Sequence, residues 1–237
     1  GANSVAVGPL SALTNQGTNA VAIGNSAGAT TQSDNGVAIG LNAGQISQSS
    51  NSVAIGTSAG ITNQGEKSVA IGFQAGQNSQ VAYCVAIGNL AGQTQGTRSV
   101  AIGNSAGSGQ NIDCVAIGNA AGQSGQSQRA IAVGNQSGNF GQKDYAVAIG
   151  YNAGKLNQKI GSVAIGNLAG ENTQGGNSVA IGSNAGKTQS DNAVAVGQGA
   201  GRVQGARAVA VGDSAGRINQ SQYACALGYQ AAYTGQG

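Results

Sequence analysis

Apolar residues recur along this chain in a short repeated pattern rather than in long runs. The tetrapeptide Val-Ala-Ile-Gly starts at Val21, Val37, Val53, Val69, Val85, Val100, Val115, Val147, Val163 and Val179, and close variants start at Val5, Ile131, Val194, Val209 and Cys225. These fifteen copies are spaced 16 residues apart ten times and 15 apart four times. They cover the chain from Asn3 onward as a single repeat domain, 1–237, with no room for a linker or a second domain. Internal repetition of this kind is the primary fact about the fold.

Counting from the first residue of each tetrapeptide as position 0 turns the copies into columns. Position +1 is Ala and position +3 is Gly in all fifteen copies, position +2 is Ile, Val or once Leu227, and position −1 is always small. Position +6 is Ala except at Ser11 and Ser137, and +7 is Gly except at Ala12 and Ala232. The alternation of side-chain size has period 2, the strand period, rather than the 3.6 of a helix. A unit of 15 or 16 residues holds two short strands and two tight turns, with Gly at +3 and Asn at +4 (Asn25, Asn89, Asn104) supplying one of the turns. The pattern predicts an all-β fold: a parallel β-solenoid of about fifteen coils, one per copy, stacked at ~4.8 Å into a rod of roughly 70 Å.

A Gln stands five residues before each next copy: Gln16, Gln32, Gln48, Gln64, Gln80, Gln95, Gln110, Gln126, Gln142, Gln158, Gln174, Gln189, Gln204 and Gln220. The 15-residue copies keep it, so the deletion falls just before it. A stacked amide column of this sort forms a structural hydrogen-bonded ladder; a polar binding stripe is the other reading.

Two registers fit the first strand. In the expected one Val and Ile at 0 and +2 point inward, against +6 and the +9 column (Thr14, Thr30, Ile46, Phe140, Leu156, Val203, Ile218). The −1, +1 and +3 columns then form a flat, charge-free outer face. Its members include Ala22, Ala38, Ser52, Ala54, Ser68, Ala70, Ala86, Ser99, Ala101, Ala116, Ala148, Ser162, Ala164, Ser178, Ala180, Ala195 and Ala210, which are the candidate interaction residues. The opposite register packs Ala inward and shows an aliphatic stripe that needs covering by a partner.

Composition narrows the function. Gly accounts for 43 of 237 residues, while charged residues make up 7% and aromatics 3%. A net charge of +3 is too small to keep the chain expanded. With no His, Ser-His-Asp and Cys-His catalysis and His-ligated metals are excluded, and seven scattered acids make a paired-carboxylate site improbable. No catalytic residue, metal or cofactor is therefore expected. No stretch is apolar enough for a membrane span. Ten spread Lys and Arg give no dense nucleic-acid-binding patch. The opening Gly1-Ala2-Asn3-Ser4 shows no signal pattern, as expected of a fragment of a longer fibrous protein.

Charges gather at −2 (Lys67, Arg98, Asp113, Arg129, Arg207) and at +8 (Lys155, Glu171, Lys187, Arg202, Arg217). They read as solubility and edge protection, with a sugar- or anion-binding rim as the alternative. Cys84 and Cys114 share the −1 column two coils apart, too far for a disulfide. They read as tolerated small residues, with interchain bridging as the alternative, and Cys225 replaces a core Val.

The repeated Ser-Val-Ala-Ile-Gly, as in Ser52–Gly56 and Ser178–Gly182, resembles the head repeats of YadA-type trimeric autotransporter adhesins and similar phage and giant-virus fibre repeats. The resemblance implies a left-handed β-roll, three chains about a common axis, and an extracellular role on a cell or virion surface. The expected function is a structural or adhesive fibre module that self-associates, as a homotrimer or otherwise, and attaches to a host-surface ligand. The alternative is an ice-binding solenoid using its flat repetitive face.

Overall fold

The computed structural model describes residues 1–236. It is a β-solenoid of parallel strands stacked coil upon coil, with no helix among the described residues. The chain divides into two compact units, Gly1–Ile117 and a second that begins at Gly118. Both are built from the same coil.

Each tetrapeptide contributes its first three residues as the main strand of a coil. In the first unit Val5–Val7, Val21–Ile23 and Val37–Ile39 pair in register, Val5 with Val21 and Val21 with Val37. In the second unit Ile131–Val133, Val147–Ile149 and Val163–Ile165 do the same. The first unit has eight such strands and the second seven.

Shorter strands ending at the Gln column form the opposite wall, among them Thr62–Gln64 and Thr94–Gln95 in the first unit and Thr188–Gln189 and Ile218–Gln220 in the second. The difference between 15- and 16-residue copies is absorbed here. Ile46 pairs with Thr62 and Gln48 with Gln64, so Ser47 and Asn63 bulge out of the ladder at φ 57° and 50°. The 15-residue coils omit that residue and pair directly, Thr94 with Gly109 and Gln95 with Gln110.

Two tight turns close the coil. Ala27 N–H donates to Gly24 O at 3.3 Å, and Gly36 N–H donates to Ser33 O at 3.2 Å. The third residue of each turn, Ser26 and Asn35, has φ 53° and 57°, the positive value that a type II turn requires there. Gly at +3 is dictated twice over. Gly40 sits at φ 129°, and a Cβ on it would lie 2.7 Å from the Gly56 carbonyl oxygen of the next coil.

The interior reverses the expected register. Ala22, Ala38, Ala54, Ala70, Ala86, Ala101, Ala116, Ala148, Ala164, Ala180, Ala195 and Ala210 are all 0% exposed, and so are Ser52, Ser68, Ser99, Ser162 and Ser178. Val and Ile at 0 and +2 point outward instead. The reason is distance: the walls are so close that a Cβ on Gly60 would stand 3.4 Å from the Ala54 Cβ, and one on Gly186 would stand 2.8 Å from the Ala180 Cβ. A branched side chain at +1 has no space. The +9 column, expected to complete the core, also faces solvent, with Ile46, Phe140, Val203 and Ile218 each above 40% exposed.

Candidate interaction surfaces

The space beside the Ala columns is filled by the Gln ladder. Gln32 Nε2 donates across the coil to Val21 O at 2.8 Å and along the stack to Gln48 Oε1 at 3.1 Å. In the second unit Gln158 Nε2 donates to Val147 O at 3.0 Å and to Gln174 Oε1 at 2.9 Å. A carboxamide has two N–H donors, and this geometry uses both while the oxygen accepts from the preceding Gln. A buried amide satisfied in this way carries no desolvation deficit.

Glycine at +7 makes the ladder possible. A Cβ on Gly28 would lie 2.9 Å from Gln32 Oε1, and one on Gly154 would lie 2.3 Å from Gln158 Cδ. The Gln stripe is thus an interior fixture. Gln32, Gln48, Gln64, Gln142, Gln158 and Gln174 are 0% exposed.

Buried small residues at −1 finish the second turn. Ser68 Oγ donates to Val81 O at 2.8 Å and Ser178 Oγ to Gly175 O at 2.7 Å. Cys84 occupies the same column, its Sγ 3.0 Å from Gly96 O, and burial pushes its thiol above the usual range. Cys84 and Cys114 are buried, which removes the interchain bridge considered for them; Cys225 is exposed, not a core residue.

What the molecule shows outward is first an aliphatic stripe. Ile23 and Ile117 in the first unit and Ile149 and Ile181 in the second are 37–38% exposed, with half-buried Val beside them in the 0 column. No charged residue stands at 0 or +2 in any copy. Of the two registers the sequence allowed, this is the one that presents an apolar surface.

Two edges carry the charge. At −2, a cation repeatedly covers the tyrosine of the next coil. Arg129 lies 5.5 Å from the Tyr145 ring centre and its Nη1 donates to the Tyr145 hydroxyl at 2.7 Å; Arg207 and Tyr223 repeat the arrangement. Arg98 instead grips Asp113 with both ends of its guanidinium, at 2.6 and 3.1 Å, which raises its already high pKa. All of these side chains except the half-buried Asp113 are exposed, so the contacts shape the edge more than they stabilise the fold.

At +8, the edge between the first turn and the second wall, Lys187 pairs with Glu171 at 2.7 Å and Arg217 donates to the Tyr233 hydroxyl. Among the described residues no group of three His, Cys, Asp or Glu is placed to hold a metal ion, and no helix is long and apolar enough to cross a membrane.

A comparison with protein families matches the YadA head domain repeat in two copies, residues 16–43 and 174–200. Each match begins on a ladder glutamine, Gln16 or Gln174, and ends on a +6 alanine, Ala43 or Ala200. One falls in each unit. The chain therefore carries YadA head repeats, as the Ser-Val-Ala-Ile-Gly pattern implies. No curated protein matches it.

Proposed function

We propose that the chain is a structural, non-catalytic module of a surface-displayed fibre, and that it self-associates, as a homotrimer, through the outward Val and Ile columns. The observation that carries this reading is the burial pattern. Small Ala side chains fill the interior, which leaves the larger aliphatic ones outside in a charge-free stripe. A solvated stripe of this kind needs covering. A second copy of the chain is a natural cover, because its stripe has the same rung spacing and every coil adds one matched contact. The YadA head repeats at 16–43 and 174–200 support an adhesin-like setting on a cell surface, with a host-surface ligand bound elsewhere on the fibre. The ice-binding alternative loses its footing, since the flat Ala and Ser face it relied on is interior.

Sedimentation velocity on the purified chain tests the reading. A trimer is expected, and Ile55→Lys with Ile165→Lys should reduce it to monomer while the far-ultraviolet β signal persists. A strict monomer at high concentration, or an unchanged trimer in the charged variant, overturns the assignment.

A further inference from the structure

The +8 edge of the second unit is cationic in successive coils. Lys187, Arg202 and Arg217 occupy the same position in three consecutive copies, so with in-register stacking their backbones stand roughly 4.8 Å apart. Lys155 adds a fourth cation on this edge, and Glu171, paired to Lys187, is its one carboxylate. All three consecutive side chains are half-buried, as long charged side chains are when they cover the coil surface and keep their heads at its edge. Arg202 has no carboxylate partner among the described residues, and Arg217 has a neutral one in Tyr233.

The two arginines stand as a ridge between two recesses. One, of about 270 Å³, is lined by Asn184, Gln198, Gly199 and Ser214 beside Arg202 and Arg217. The other, of about 280 Å³, runs along Thr188, Val203 and Ile218. One side of the ridge thus offers amides and a hydroxyl, and the other an apolar floor. On the amide side Asp213 accepts the Ser214 hydroxyl at 2.8 Å.

From this arrangement we infer that the +8 edge of the second unit binds an anionic polysaccharide, its sulfate or carboxylate groups held by Arg202 and Arg217 and its hydroxyls by the neighbouring amides. A guanidinium fork matches both anions in two-point geometry. The flanking amides and hydroxyl suit sugar hydroxyls, and the apolar floor suits the carbon face of a pyranose ring. A chain with charges at regular intervals fits a row of cations at regular intervals. Nucleic acid is disfavoured, because ten Lys and Arg in 237 residues give no broad positive field around the row. No residue lining either recess belongs to the 0 or +2 columns, so the inference stands apart from self-association.

The test uses the full chain and three labelled probes: heparin for sulfate, alginate for carboxylate, and neutral dextran. Binding to heparin or alginate, and none to dextran, is expected, with affinity falling at least about tenfold between 50 and 500 mM salt as screening shortens. Whichever of the two binds more tightly identifies the anion. Arg202→Ala and Arg217→Ala should each weaken binding about fivefold or more, and Arg202→Lys should recover only part, since it keeps the charge and loses the fork. Arg207→Ala removes the same charge from the −2 edge and should change affinity less than about twofold. Absence of binding to both acidic probes overturns the proposal. So does equal weakening by Arg207→Ala, or single-stranded DNA of matched charge binding as tightly as the polysaccharides.

Discussion

The two units share an interior and differ at one edge. Gln64 and Gln174 make the same pair of hydrogen bonds, and Ala70 and Ala180 are equally buried. At +8 the first unit shows Leu13, Ala29, Gln45, Ile61, Gln77, Gln93 and Ser108, without a charge, where the second shows Lys155, Glu171, Lys187, Arg202 and Arg217. Inside the coil a neighbouring atom lies closer than a methyl group permits, so the same residue returns in every copy. Outside it the backbone sets only a φ value and a direction. The solenoid is thus a fixed ruler carrying variable edges, and the edges are where two stretches of one repeat can take on different partners.

The largest effect should come from breaking what the units share. Gly40→Ala in the first and Gly166→Ala in the second each drive a Cβ to 2.7 Å from the carbonyl oxygen of the next glycine, at φ 129° and 128°. Neither neighbour can retreat without leaving its own stack. We expect each substitution to destabilise its unit by about 3 kcal/mol or more, as strained backbone combined with a steric clash does. The loss should be similar in both, read as a fall in the denaturation midpoint and as faster amide exchange in the flanking coils. A marked difference between the two sites would mean that the interiors are not equivalent.

That shared interior was only partly legible in the sequence. The solenoid itself followed from the 15- and 16-residue spacing, and the position of the variable residue followed from the Gln that every copy keeps. Which face points inward did not follow from hydrophobicity, because the coil is too thin for the rule that large apolar residues go inside. The better signal was invariance: position +1 is Ala fifteen times, while 0 admits Ile131 and Cys225 and +2 admits Val133 and Leu227. A column that tolerates only the smallest side chain is one with a wall against it. The pairing of Gly at +7 with the Gln five residues before the next copy carried the same message, since the glycine has no reason to recur there unless something lies over it. The recesses beside Arg202 were not legible at all, because they form between coils rather than within one.

Transplanting the edge sharpens the comparison at an intermediate scale. Ile61, Gln77 and Gln93 hold the +8 position in three consecutive coils of the first unit, as Lys187, Arg202 and Arg217 do in the second. Ile61→Lys, Gln77→Arg and Gln93→Arg together should leave the fold intact and raise heparin or alginate affinity about tenfold in a chain whose own site has been removed by Arg202→Ala and Arg217→Ala. Each charge-assisted hydrogen bond gained is worth about 1.5–3 kcal/mol before the cost of ordering the side chain. Failure of the graft would show that the amides at Asn184 and Gln198, whose places in the grafted coils are held by Ser58 and Phe73, matter more than the row of charge.

The smallest expected effect separates two contributions at a single carboxylate of the second unit. Asp191 Oδ1 accepts the Gly176 N–H at 2.9 Å and lies 3.3 Å from Lys159 Nζ. The backbone donor foremost, and the lysine after it, hold this carboxyl below its ordinary range. A group whose folded-state pKa is depressed stabilises the fold above its unfolded value, ~3.9 for Asp, and that stability is lost as pH falls through the folded value. Because both partners are more than half exposed, at 59% and 56%, solvent screens the pair and the contribution is small. Followed through the Gly176 amide resonance, the Asp191 titration should have its midpoint below the ordinary Asp value. Lys159→Ala should recover only the lesser part of the shift, since the backbone hydrogen bond remains, and high salt should mimic the substitution. A midpoint at the ordinary value in the unsubstituted chain would mean that the Asp191 carboxylate is solvated rather than held, and that this stretch, unlike the +8 edge, has no fixed charge to offer.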